Sequence, residues 1–126
     1  ARLHDELIES VFVPERAPGE ARRFRKVGTR RAQSIAKLVV ALAWRVDERG
    51  NVVALRGGAG SMAERSVRLV ELEKRLVGGP LERARVRAAA AASAAIDVRP
   101  RDDVRSTADY RRAVLARVLT TLLAAP

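Results

Sequence analysis

Four cations crowd a single glycine turn in the stretch Phe24-Arg25-Lys26-Val27-Gly28-Thr29-Arg30-Arg31-Ala32-Gln33-Ser34-Ile35-Ala36. Taken alone, Lys26 reads as a cation at a strand end, either simply solvated or placed so that its ammonium reaches the negative or electron-rich edge of a bound group. Arg30 and Arg31 carry planar guanidinium forks, which suit a pyrophosphate and a carboxylate equally well. Their candidate partners are therefore a phosphate group, acids of a neighbouring domain, or Glu20 and Asp47 of this chain. Thr29 can cap the short turn that follows.

Other residue types with chemical potential lead to structural readings. Asp102 and Asp103 are adjacent carboxylates, but no histidine or third carboxylate is spaced to complete a metal or acid–base site with them. Placed before a helix start and beside Arg105, they read as helix-start and salt-bridge residues. His4 is the sole histidine and has no serine or cysteine at a spacing that would build a triad. The run Gly57-Gly58-Ala59-Gly60 lacks the lysine and hydroxyl of a phosphate-binding P-loop and the spacing of a dinucleotide fingerprint. Its glycines read as the place where a strand meets a packed helix.

The elements that must position these residues follow from periodicity. Leu7 to Val13 reads as a short strand ended by Pro14, and Arg22 to Lys26 as a second extended piece. Ala36, Leu38, Val40, Leu42, Trp44 and Val46 alternate with a more polar set, which predicts a long strand with one apolar face. The turn Asp47-Glu48-Arg49-Gly50-Asn51 then predicts an antiparallel hairpin with a strand over Val52 to Ala59. Beyond Gly60 the pattern becomes helical. One helix is expected from about Ser66 to Val77, with Glu64/Arg68 and Glu71/Arg75 paired four apart, stopped by Gly78-Gly79. A second is expected to start at Pro80 and run over about Leu81 to Ile96, where the alanines from Ala88 to Ala92 suit close packing. A third begins at Ser106, with Asp109 completing a capping box. Strands first and helices second predict an α+β domain: a three- or four-stranded antiparallel sheet covered on one face by about three helices.

Composition narrows the function classes. At 126 residues, one domain with its own core is expected. With no cysteine, the chain contains no disulfide, no thiolate metal site and no cysteine-ligated iron–sulfur cluster. No apolar run reaches the roughly 18 residues of a membrane-spanning helix, and the expectation is a soluble, cytoplasmic protein without a membrane partner. The net charge of +10 raises nucleic acid as a partner. Against it, the arginines are scattered over the whole length and only Phe12, Phe24, Trp44 and Tyr110 could stack on bases.

The stretch from Phe24 to Ala36, together with Asp102-Asp103-Val104-Arg105-Ser106-Thr107-Ala108-Asp109-Tyr110-Arg111-Arg112, resembles the C-terminal domain of the FAD-binding (medium) subunit of molybdenum hydroxylases, the xanthine dehydrogenase and carbon-monoxide dehydrogenase family. The likeness extends over most of the chain, including Leu7 to Pro14, Val52 to Gly60 and Leu69 to Gly79. It departs in Gly60 to Arg68, which lacks the proline that the family places before its arginine. The resemblance implies FAD as cofactor, held mainly by N-terminal domains with no counterpart in these residues. It implies Lys26 near the flavin, with Arg30 and Arg31 beside it, acting electrostatically as the flavin is reduced. Implied partners are the FAD-binding domains of the same subunit and separate molybdopterin and iron–sulfur subunits. A chain starting at Ala1 without methionine fits a piece of such a subunit, not catalytic by itself and binding FAD weakly. The competing readings are a basic nucleic-acid-binding module and a structural or dimerisation domain without cofactor contact.

Overall fold

A computed structural model describes residues 5–13, 15–30 and 33–124. Four strands, β1 (Ala21–Val27), β2 (Leu38–Val46), β3 (Val52–Gly60) and β4 (Val67–Arg68), form one antiparallel sheet in the order β1-β2-β3-β4. Three helices follow: α1 (Val70–Leu76), α2 (Arg83–Ile96) and α3 (Ala108–Ala124). The architecture is the expected α+β sandwich, with the four-stranded alternative realised.

The alternation in β2 buries Leu38, Val40, Leu42 and Trp44 on the face that the helices cover. Val46 departs from this pattern. A bulge between Arg45 and Val46 shifts the register, and Val46 turns toward solvent. The hairpin turn is held by Asp47, whose Oδ1 accepts from the backbone N–H of Asn51 at 2.8 Å and of Arg49 at 3.0 Å, while Gly50 takes a φ of +80°. Against the inner face pack Leu69, Leu72 and Leu76, then Val86, Ala89 and Ala90, then Leu115, Leu119 and Leu123. The small side chains of α2 let it approach its neighbours closely, as the alanine run predicts.

Two expected elements change. The helix expected over about Ser66 to Val77 is a short strand followed by a shorter helix. Val67 and Arg68 pair with Ala59 and Gly58, and the Leu69 N–H donates to the Gly57 carbonyl at 2.9 Å. At Gly57 a side chain would press on Leu42 and Leu69, with an added Cβ 3.1 and 3.3 Å from their nearest atoms. Glycine there permits the close approach that seats Leu69. The start of α1 is capped from a distance: the Asp97 carboxylate, at the end of α2, accepts from Glu71 N–H at 2.9 Å and from Leu72 N–H at 3.4 Å. At its other end Gly78 takes a φ of +85°, and the Arg85 guanidinium donates to the Leu76 carbonyl at 3.2 Å. Helix α2 begins at Arg83, so Pro80 lies in the connection, where it bridges to Asn51.

The second change is at Leu7–Val13, where no strand forms. A strand needs a partner ladder and a surface on which to bury one face. Residues 7–13 pair with neither edge of the sheet and bury neither face on the described residues. Pro14, expected to end that strand, lies outside them.

Candidate functional site

In an antiparallel sheet, directly opposed residues share a face. Lys26 lies opposite Val39, which in turn lies opposite Gly60; Phe24 is aligned with Ala41, Gly58 and Arg68. Lys26 thus stands at the end of edge strand β1, on the side away from the helix-packed core. The connection from β1 to β2 is a closed loop. Lys37 N–H donates to the Val27 carbonyl at 2.8 Å, the Arg30 Nη2 donates to the Gln33 carbonyl at 2.8 Å, and the Ser34 hydroxyl donates to the Arg30 carbonyl at 3.0 Å. Gln33 adopts a φ of +49°, and a Cβ at Gly28 would lie 2.2 Å from Ser34 Oγ. A side chain at Gly28 would therefore displace the Ser34 hydroxyl from the Arg30 carbonyl.

The loop and the strand end enclose an open hollow of about 520 Å³ lined by Arg25, Lys26, Val27, Gly28, Arg30 and Ser34. Three of those residues are cations and none is an acid. Among the described residues, Lys26 makes no ion pair or side-chain hydrogen bond. The structure thus brings Lys26 and Arg30 to one place; Arg31 lies outside the described residues. The acids considered for the arginines are engaged elsewhere: Glu20 pairs with Arg22 at 2.5 Å, and Asp47 serves its own turn. Such a hollow attracts an anionic group or the electron-rich edge of a ring.

The two sequence motifs meet in space. The Lys37 ammonium lies 5.2 Å from the centre of the Tyr110 ring. A second hollow is walled by Ile35 and Ala36 on one side and by Asp103, Arg105 and Arg111 on the other. Arg111 is buried; it donates to the Ser61 carbonyl at 2.9 Å and to Asp103 Oδ2 at 2.7 Å. The backbone N–H of Arg105 and the Arg111 guanidinium hold the Asp103 carboxyl below the usual carboxylate range. The start of α3 therefore buttresses the loop that carries the cations.

Over residues 22–125 the sequence matches the family described as CO dehydrogenase flavoprotein C-terminal domain. The chain belongs to this family. Among solved structures, the CO dehydrogenase of Hydrogenophaga pseudoflava that lacks the Mo-pyranopterin moiety of its molybdenum cofactor is similar at 28% identity and a TM-score of 0.79. That similarity covers 86% of this chain and 37% of the other. The reconstituted CO dehydrogenase from Oligotropha carboxidovorans shares the fold at 24% identity and a TM-score of 0.76, over 86% of this chain and 37% of that one. Quinoline 2-oxidoreductase from Pseudomonas putida 86 shares it at 21% and 0.73, over 84% and 36%. This chain spans little more than a third of the length of each. A comparison with curated proteins finds no match.

In this flavoprotein C-terminal domain the carboxylates Asp102 and Asp103 serve the helix start, as their sequence setting implies. Asp102 Oδ1 accepts from Ala108 N–H at 2.6 Å, and Asp103 pairs with Arg111. The cap itself differs from expectation. Thr107 Oγ1 accepts from Tyr110 N–H at 3.2 Å, whereas the Ser106 hydroxyl is buried without a protein partner.

The Arg68–Glu73 pair was not legible from sequence. Arg68 was expected to pair with Glu64, which instead meets Arg101. Glu73 is buried and receives Arg68 in a forked contact at 2.6 to 3.1 Å, plus the Gly57 N–H at 3.1 Å. Burial pushes the Glu73 carboxyl up, but Arg68, the Gly57 N–H and the charge of Arg56 outweigh it and hold the group below its ordinary value. The only sequence signal was the five-residue spacing across a strand-to-helix junction, which a continuous-helix reading hides.

Proposed function

We propose that this chain is the C-terminal domain of a molybdenum-hydroxylase flavoprotein subunit, the wall that closes its flavin pocket, with Lys26 at the flavin edge and Arg30 and Arg31 beside it. The supporting observation is the acid-free hollow in which Lys26 has no partner of its own. Its cations and open side fit a group with an anionic or electron-rich edge, as FAD has. When bound, FAD would take electrons arriving through iron–sulfur clusters from a molybdopterin centre and pass them to an acceptor.

The residues of this chain supply a fixed field and a rigid frame. The Lys26 ammonium offsets negative charge at the open edge of the hollow, and its effect is strongest where water is excluded. Gly28, Ser34 and Arg30 hold the loop that forms the hollow's rim. Lys37 and Tyr110 tie the loop's far end to α3. The FAD-binding domains of the same subunit are the proposed first partner, and molybdopterin and iron–sulfur subunits the wider assembly. The proposed compartment is the cytoplasm, where a chain without cysteine forgoes no disulfide.

The test is Lys26→Ala in the full-length subunit, read by titrating the apoprotein with FAD and by following flavin bleaching under substrate. Loss of one charge-assisted contact predicts about tenfold weaker FAD binding, about 1.4 kcal/mol. Unchanged flavin affinity and reduction would remove the site assignment.

A further inference from the structure

The most exposed apolar side chains near the start of the chain cluster in one short segment. Leu7, Ile8, Val11, Phe12 and Val13 each leave between 72 and 91% of their surface in water. Laid out as a strand, Leu7, Glu9, Val11 and Val13 fall on one face and Ile8, Ser10 and Phe12 on the other, so that each face is mainly apolar. A strand apolar on both faces belongs inside a sheet that is covered on both sides. A solvated linker has no use for that composition.

The described residues offer no such place. The inner face of the sheet is filled by the three helices, and the opposite face holds one open hollow, floored by Phe24, Ala41, Ala43 and Gly58 and rimmed by Arg22, Arg56 and Arg68, which could cover one side of a strand but not both. The turn that joins the segment to β1 is well made: Glu20 N–H donates to the Ala17 carbonyl at 3.1 Å, Gly19 takes a φ of +70°, and the Arg16 Nε donates to the Glu20 carbonyl at 2.6 Å. The segment thus leaves the domain at a defined point. It also lies before residue 22, where the match to the family begins. Since the chain covers 37% of its structural neighbour, most of such a subunit lies outside these residues.

We infer that residues 7–13 form an interior strand in a sheet belonging to the remainder of the flavoprotein subunit, and so couple that body to β1 and the Lys26 loop. The inference rests on the reading that this chain is part of a longer flavoprotein subunit. Through it, the edge strand carrying Lys26 is fixed relative to the flavin-binding body by a covalent connection of seven residues, 14–20.

Hydrogen–deuterium exchange on this chain and on the complete subunit, each with and without FAD, tests it. In this chain the amides of residues 7–13 should exchange at the rate of unstructured peptide at every protein concentration. In the complete subunit they should slow by at least about a hundredfold, with or without FAD. Protection already present in this chain at all concentrations would overturn the inference in favour of packing on its own sheet. Protection that grows with concentration would overturn it in favour of a second copy. A complete subunit that binds FAD in a Lys26-dependent way but leaves 7–13 unprotected would overturn this inference alone. A complete subunit that protects 7–13 yet takes no FAD would uphold it while removing the flavin reading.

Discussion

At the β3–β4 end of the sheet Arg68 is clamped to Glu73 by a fork of contacts at 2.6 to 3.1 Å, whereas at the β1 end Lys26 and Arg25 look into a hollow with no carboxylate in its lining. Both corners are built from the same ingredients: a sheet edge, a glycine and basic side chains. In the first, the charge is answered inside the domain and joins β4 to α1. In the second, Lys26 makes no ion pair or side-chain hydrogen bond among the described residues. The contrast is between a cation whose partner lies in the fold, Arg68, and one, Lys26, that makes no ion pair among the described residues.

The largest effect expected from breaking this contrast is at the clamped corner. Glu73→Ala should cost about 2 kcal/mol in urea denaturation, because the Gly57 N–H loses its acceptor and Arg68 its partner in a buried setting. A cost below about 0.5 kcal/mol would mean that apolar packing alone holds the junction.

Acid should act on the same corner and on the Asp103–Arg111 pair at the start of α3. The carboxyls of Glu73 and Asp103 titrate below their ordinary values in the folded chain. The unfolded chain, with carboxyls near about 4.3 and about 3.9, therefore binds more protons in that window. Their contribution is complete above those unfolded values and is lost as pH falls through the lower folded ones. The urea midpoint should drop between about pH 6 and about pH 3, and drop less in Glu73→Gln.

A smaller change is expected in the loop. Gly28→Ala sets a Cβ against the Ser34 hydroxyl and should cost about 1 kcal/mol through loss of the bond to the Arg30 carbonyl. In a Ser34→Ala background, where no hydroxyl remains to clash, the added cost should nearly vanish; full additivity of the two changes would exclude this contact as the cause. Smallest of all, Lys26→Ala should leave the stability of this chain unchanged within about 0.5 kcal/mol, since the ammonium has no partner to lose. A clear destabilisation would show that Lys26 is structural and dissolve the contrast.

Much of this arrangement was readable in advance, and the failures share one cause. Strand β2 and its hairpin were legible because alternation and turn chemistry are local; so was the alanine-rich α2. The bulge that turns Val46 outward, the strand Val67–Arg68 inside an apparent helix, and the capping of α1 by Asp97, 26 residues away, were not. Each depends on how the segment pairs with another element, which its own periodicity does not report. The leucines at 69, 72 and 76 fit a helix period whether the helix begins at Ser66 or at Val70, and only the pairing of Val67 with Ala59 decides between them. For the site, the grouping of Lys26 with Arg30 was visible in the sequence. Its support by Lys37, Tyr110 and Arg111 was not.

The sequence by itself determined the β2–β3 hairpin, the succession of strands by helices, the apolar face of β2 and the basic character of the β1–β2 loop, because these follow from period, glycine placement and charge within a few residues. Only the tertiary structure decided which cations are answered and which are free. That distinction depends on how the chain folds between and around its elements: the strand-to-helix junction brings Glu73 within reach of Arg68, whereas among the described residues no carboxylate lines the hollow at Lys26.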